Sequence, residues 1–142
     1  MKKRNIWNLI TEAGLKKTKI RMNIIDLLEK SHQLLSAQDI YNRFYEKDDS
    51  MNLSTVYRTL DKLVDAKIIN KISLEQKKEV LYEFNRDEHH HFLICKSCNK
   101  IEPIYGCPLH DYEAQLMKDT GFKITAHKIE FYGYCKDCQK HI

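Results

Sequence analysis

Two pairs of cysteines and a run of histidines are the residues of this chain best suited to chemistry. Cys95-x-x-Cys98 and Cys135-x-x-Cys138 repeat one spacing. Tetrahedral zinc takes thiolate ligands, and two tight pairs brought together by folding supply all four. Such a closed set leaves no open coordination position, so it reads as structural zinc rather than catalytic zinc. The competing reading is a pair of redox motifs, but nothing in the flanking sequence outlines a thioredoxin-like unit. Upstream, His89, His90 and His91 stand in a row, and His110 and His127 follow. If "EHHHFLIC" is extended, alternate side chains share a face. His89 and His91 then point one way and His90 the other. Singly, each histidine reads as a polar-loop or core residue. Six histidines in the last sixty residues together favour a second metal site.

The elements that must position these residues fall into two modules. Residues 1–82 carry 16 Lys/Arg and 11 Asp/Glu, whereas residues 83–142 carry 8 and 9. One histidine precedes position 83 and six follow it. A basic module therefore precedes a metal-rich one, and we place the boundary at 84/85, giving domains 1–84 and 85–142. With 142 residues the chain has room for two small domains. No run of about 18 apolar residues exists, so nothing reads as membrane-spanning. The basic start "MKKRNIWNLI" lacks an apolar core and a small-residue cleavage site, which points to the cytoplasm. A cytosol keeps thiols reduced, so metal binding is the better default for the five cysteines.

In the basic module, "NIWNLITEAG" puts Ile6, Leu9, Ile10 and Ala13 on one helical face, with Gly14 as a stop. "TKIRMNIIDLLEK" follows, with Thr18 as cap and Ile20, Ile24, Leu27 and Leu28 as its stripe. "SAQDIYNRFYEK" opens with Ser36 and Asp39 in capping-box spacing. "LSTVYRTLDKLVDAK" buries Val56, Leu60, Leu63 and Val64 and turns Thr55, Tyr57 and Arg58 outward. Two β-like runs, "IINKISL" and "EVLYEF", come next. Helices followed by a hairpin predict a winged helix-turn-helix. A helix fits the DNA major groove with its first turns on base edges, where Arg58 can grip guanine or phosphate and Tyr57 a thymine methyl or phosphate, with Thr55 as a further DNA contact. Lys16, Lys17, Lys19 and Arg21 form a basic cluster beside it. The plainer reading is a solvated charged helix face. The order of elements and the charge asymmetry favour DNA.

These residues together resemble the Fur superfamily of bacterial metal-dependent repressors. The similarity rests on "LSTVYRTLDKL", the histidine run before "LICKSC", "HKIEFYGYC" and the final "CKDC", and covers almost the whole chain. It implies an α+β protein: an N-terminal winged helix, then a small α/β dimerisation domain with a four-cysteine zinc site. It implies a homodimer that binds a palindromic double-stranded DNA operator when a regulatory metal is present, with no membrane partner. By the resemblance, Tyr57 and Arg58 match the recognition-helix pair and Lys16 the lysine near the minor groove. Cys95, Cys98, Cys135 and Cys138 match the structural zinc set. His89, His91 and His127 match regulatory-site ligands, and the usual carboxylate of that site falls at His110. A four-histidine site suits zinc, and also nickel, copper or ferrous iron. Its ion is expected to tie a strand at 89–95 to a helix beginning near Cys107 and a strand at 122–132.

The sequence departs from that pattern at the hinge. The second histidine after His90 is replaced by Phe92, and only Glu83 and His90 remain at matching positions, with His32 or Cys107 as candidates to rebuild the site. In "YGCPLHDY", Pro108 suits a helix's first position with Cys107 just before it. A similar Cys-Pro follows the first cysteine pair in the zinc-responsive Zur branch. Cys107 alone reads equally well as a small buried hydrophobe. The expected function is thus a zinc-responsive repressor of metal-uptake genes, carrying one structural zinc per chain and a second, regulatory zinc. The alternative is an iron(II)- or peroxide-responsive regulator. A zinc hydrolase, with Glu88 or Glu102 as base, lacks an HExxH-like motif and leaves the basic helices unexplained. A zinc-ribbon adaptor that binds only protein predicts no DNA binding at any metal level.

Overall fold

The computed structural model describes residues 5–45 and 51–141; the basic residues 2–4 lie outside it. The chain divides into two compact units, Met1–Arg86 and Asp87–Ile142.

In the first unit each helix starts where a polar side chain satisfies free amides. Asn5 caps α1 (Ile6–Glu12) by accepting from the Trp7 amide at 3.0 Å. Thr18 caps α2 (Lys19–Ser31) by accepting from the Arg21 amide at 3.2 Å. After the two-residue strand β1 (Leu35–Ser36), α3 (Ala37–Tyr45) opens on a reciprocal box. Ser36 Oγ accepts from the Asp39 amide and Asp39 Oδ2 from the Ser36 amide, both at 3.0 Å. Asn52 caps α4 (Leu53–Asp65) through the Thr55 amide at 2.8 Å. Strands β2 (Ile69–Ser73) and β3 (Val80–Phe84) pair antiparallel, and β1 adds to the other edge of β3.

Ile10, Ile24, Leu28, Ile40, Leu60 and Leu63 make the centre of a continuous apolar core in this unit. The stripe of α2 is rotated from the expected one: Ile25 is fully buried, whereas Ile20 and Leu27 are only partly so. On α4, Thr59 joins the buried face by donating its hydroxyl to the Thr55 carbonyl at 2.8 Å, and Val64 sits at the margin.

In the second unit β4 (His90–Cys95) is the central strand. It pairs antiparallel with β5 (Ile101–Tyr105) and parallel with β6 (Glu130–Gly133). Between β5 and β6 runs α5 (His110–Thr120), and a 3-10 helix spans Cys138–His141. Two expectations need correction. The helix does not begin at Pro108: Pro108 and Leu109 form a turn, and Leu109 is the cap. The strand expected over 122–132 starts only at Glu130, because β4 begins at His90 and its first parallel partner, at Phe92, is Glu130.

Among the described residues, the apolar side chains buried in this unit are Phe92, Ile94 and Cys95, and α5 buries none. At roughly 1.5–3 kcal/mol for each large apolar side chain, so small a core does not hold a domain alone. No helix of the described residues is long and apolar enough to cross a membrane.

Candidate metal centres

Cys95 ends β4, and Cys98 follows in a tight turn closed by the Asn99 amide on the Cys95 carbonyl at 3.0 Å. The second pair repeats this turn, with the Gln139 amide on the Cys135 carbonyl at 3.0 Å. Parallel pairing of β4 with β6 sets Cys95 opposite Gly133 and so bridges the forty residues between Cys95 and Cys135. The four sulfurs lie within 4.8 Å of one another, with Cys98 Sγ and Cys135 Sγ 3.8 Å apart. Tetrahedral thiolates about 2.3 Å from zinc stand about 3.8 Å apart.

The electrostatics match. Backbone amides of Cys98 and Cys135 lower the Cys95 thiol to about 6. At Cys138 a bond from Ser97 pulls the thiol down, but the crowding sulfurs of Cys135, Cys95 and Cys98, with desolvation, push it up to about 12. Amides aimed at one sulfur and crowding at another describe four sulfurs packed so closely that they do not all ionise unless a cation neutralises them.

A second cluster unites His89, His91, Cys107 and His127, again with ligand atoms within 4.8 Å. His127 Nε2 is its hub. It stands 2.8 Å from His89 Nε2, 3.0 Å from His91 Nε2 and 3.2 Å from Cys107 Sγ. Cys107 Sγ is also 3.4 Å from His91 Nε2. Zinc ligands at about 2.0–2.3 Å stand roughly 3.3–3.6 Å apart, so the set fits one ion with slight opening. His91 is buried, and that burial, followed by the neighbouring His89, His127 and His90, pushes its pKa below the ordinary value. That shift favours the neutral, ligating form of the ring.

The placement of the remaining candidates differs from the expected set. His110 is exposed at the start of α5 and stands outside the cluster. Cys107 takes its place, because β5 ends at Tyr105 and Gly106, at φ +80°, turns the chain back toward His91. Cys107 thus lies among the histidines of this cluster, apart from Glu83, His90 and His32, the other hinge candidates. The one signal for it in the sequence is its place two residues beyond a strand that pairs with the histidine strand. His90 lies on the opposite face of β4, its ring 5.1 Å from Phe92 and 5.5 Å from Tyr105. His32 is the left-handed cap of α2, with Nδ1 3.4 Å from an Arg86 nitrogen. Glu83 accepts from Asn70 at 3.2 Å. Glu113, which the sequence did not single out, meets His127 Nδ1.

In the first unit Tyr57 and Arg58 are exposed in the first half of α4, opposite Val56, Leu60 and Leu63. Lys16 is exposed, and its carbonyl accepts from Arg21 Nη1 at 2.6 Å. The Thr55 hydroxyl bonds Asn52 Oδ1 at 3.0 Å and so supports the cap of α4.

The pattern of the Ferric uptake regulator family matches residues 12–132. A ferric uptake regulation protein from Bordetella parapertussis is 34% identical over 132 residues, covering 92% of this chain and 94% of its own. The ferric uptake regulator of Francisella tularensis, solved with iron, is 31% identical with a TM-score of 0.79, over 89% of this chain and 96% of that one. The Helicobacter pylori ferric uptake regulator, described as having three functional metal-binding sites, superposes with a TM-score of 0.83 at 27% identity, over 98% and 97%. With the α+β architecture and these matches along most of its length, the chain belongs to the ferric uptake regulator family and is a metal-dependent transcription regulator, not an enzyme.

Proposed function

We propose that the chain is a DNA-binding repressor, acting as a homodimer on a palindromic operator, whose sensing centre is the His89/His91/Cys107/His127 cluster. The cluster carries the reading: three imidazoles and one thiol converge within 4.8 Å on a unit whose described residues bury few apolar side chains. A bound ion would tie β4, the turn after β5 and the segment before β6 together. Allostery then needs only that the ion bind the DNA-competent arrangement more tightly than the other.

The homodimer is supported by apolar side chains left exposed on the second unit. Leu93 and Phe131, partners on β4 and β6, are 44% and 49% exposed, and Phe122 is 74% exposed. Apolar surface of this kind marks association sites. The winged-helix reading is supported by the order of α2, α3, α4 and the β2–β3 hairpin, with Tyr57, Arg58 and Lys16 as DNA contacts.

Replacing Arg58 by alanine should weaken specific DNA binding by roughly 1–3 kcal/mol and leave metal content unchanged. Wild-type affinity in that variant, measured at one fixed salt concentration, would refute the docking face.

Two signals have support of different kinds. The relatives are named for ferric uptake, and on that ground iron(II) is better supported than zinc. The donors pull toward zinc, since a thiolate replaces one nitrogen or oxygen ligand and soft sulfur suits zinc. DNA affinity titrated in parallel against buffered free zinc and ferrous iron separates them. The signal is the metal that raises affinity at the lower free concentration within the buffered cellular range. No response to either metal would overturn the proposed function itself.

A further inference from the structure

The cluster's hub is a histidine that no strand or helix holds. His127 lies in a stretch, 121–129, without regular secondary structure, yet its Nε2 faces all three other ligand atoms. Something other than backbone pairing must fix that ring. Its far nitrogen, Nδ1, meets Glu113 Oε1. Glu113 lies in the first turn of α5, three residues after the exposed His110. Both side chains are largely shielded, at 19% exposure for His127 and 22% for Glu113.

We propose that Glu113 is the positioning residue of this centre. It holds His127 as the Nδ1–H tautomer and aims the Nε2 lone pair at the ion. An ionised carboxylate only accepts hydrogen bonds, so Nδ1 must carry the proton, and a neutral ring then has a bare Nε2. The same contact raises the basicity of Nε2 and locks the ring plane. The helix α5 thus reaches the centre at one remove through Glu113, while Cys107, just before the helix, reaches it directly. This inference rests on the cluster being a metal centre.

The test uses the full chain with zinc in the four-thiolate centre and cobalt(II) as probe of the second. Glu113→Ala should lower cobalt affinity by about 10–100-fold, with Glu113→Gln, which keeps an acceptor, in between. Both variants should keep the wild-type ligand-field spectrum and its thiolate charge-transfer band, because no ligand has been removed. With zinc kept in the four-thiolate centre and no metal added to the second, nitrogen NMR should show His127 protonated at Nδ1, and a tautomer mixture in Glu113→Ala. Unchanged affinity together with an unchanged tautomer would overturn the role. A spectrum that loses a donor in Glu113→Ala would overturn it differently, by making Glu113 a ligand. If wild-type protein binds no second cobalt, the metal centre itself fails, and the NMR comparison still decides whether Glu113 sets the tautomer.

Discussion

Cys95→Ser or Cys138→Ser should each release one tightly held zinc per chain and unfold the second unit. The reason is the balance of terms in that unit. Its described residues bury few apolar side chains, and α5 contributes none. A structural zinc supplies on the order of 10 kcal/mol of apparent binding energy, which in such a unit is folding energy. Serine removes the thiolate and leaves three sulfurs placed for an ion they no longer hold well. The first unit has its own continuous core and should keep its helices. Zinc content by elemental analysis, with near-ultraviolet dichroism for the second unit's tyrosines, reads both effects. A zinc-free Cys138→Ser protein with a native second unit would contradict the structural assignment.

The opposite faces of β4 should give opposite results. His91→Ala should abolish metal-dependent DNA binding and remove one metal per chain, while the four-thiolate zinc stays. His91 is buried at 4% exposure, and its Nε2 is 3.0 Å from the hub nitrogen of His127. Alanine there deletes a ligand of the proposed centre from a buried position. His90→Ala should have the smaller effect, because that ring packs on Phe92 and Tyr105 away from the cluster. His110→Ala should leave metal content unchanged. If His90→Ala silences the response and His91→Ala does not, the sensing ion sits on the other face of β4.

Local chemistry made much of this legible in the sequence. The cysteine pairs are recognised by spacing alone, and the capping residues Thr18 and Ser36 by the short-range bonds they make. Strand alternation separated His90 from His89 and His91, since a period of two leaves no choice once the segment is extended. Legibility failed where position depends on a turn or on a distant partner. His110 is the expected ligand only because the family resemblance puts the site's usual carboxylate there, and Pro108 is the expected first residue of the helix. The extra turn at Pro108–Leu109 moves the start to His110 and leaves Cys107, not His110, beside the histidines. Residues 122–132 read as one long strand, yet pairing with β4 begins only at Glu130 and runs to Gly133. Glu113 gave no signal at all, because its partner lies fourteen residues on, across an irregular loop.

The most direct test of the proposed sensing centre is the midpoint of DNA binding against buffered free metal for wild type and Cys107→Ser, each with zinc in its four-thiolate centre. The cluster geometry predicts that wild type tightens on DNA as metal rises, and that Cys107→Ser, folded and dimeric, shows no response over the same range. A Cys107→Ser curve superimposed on the wild-type curve would contradict it, because the thiol would then be a bystander and the switch would lie elsewhere.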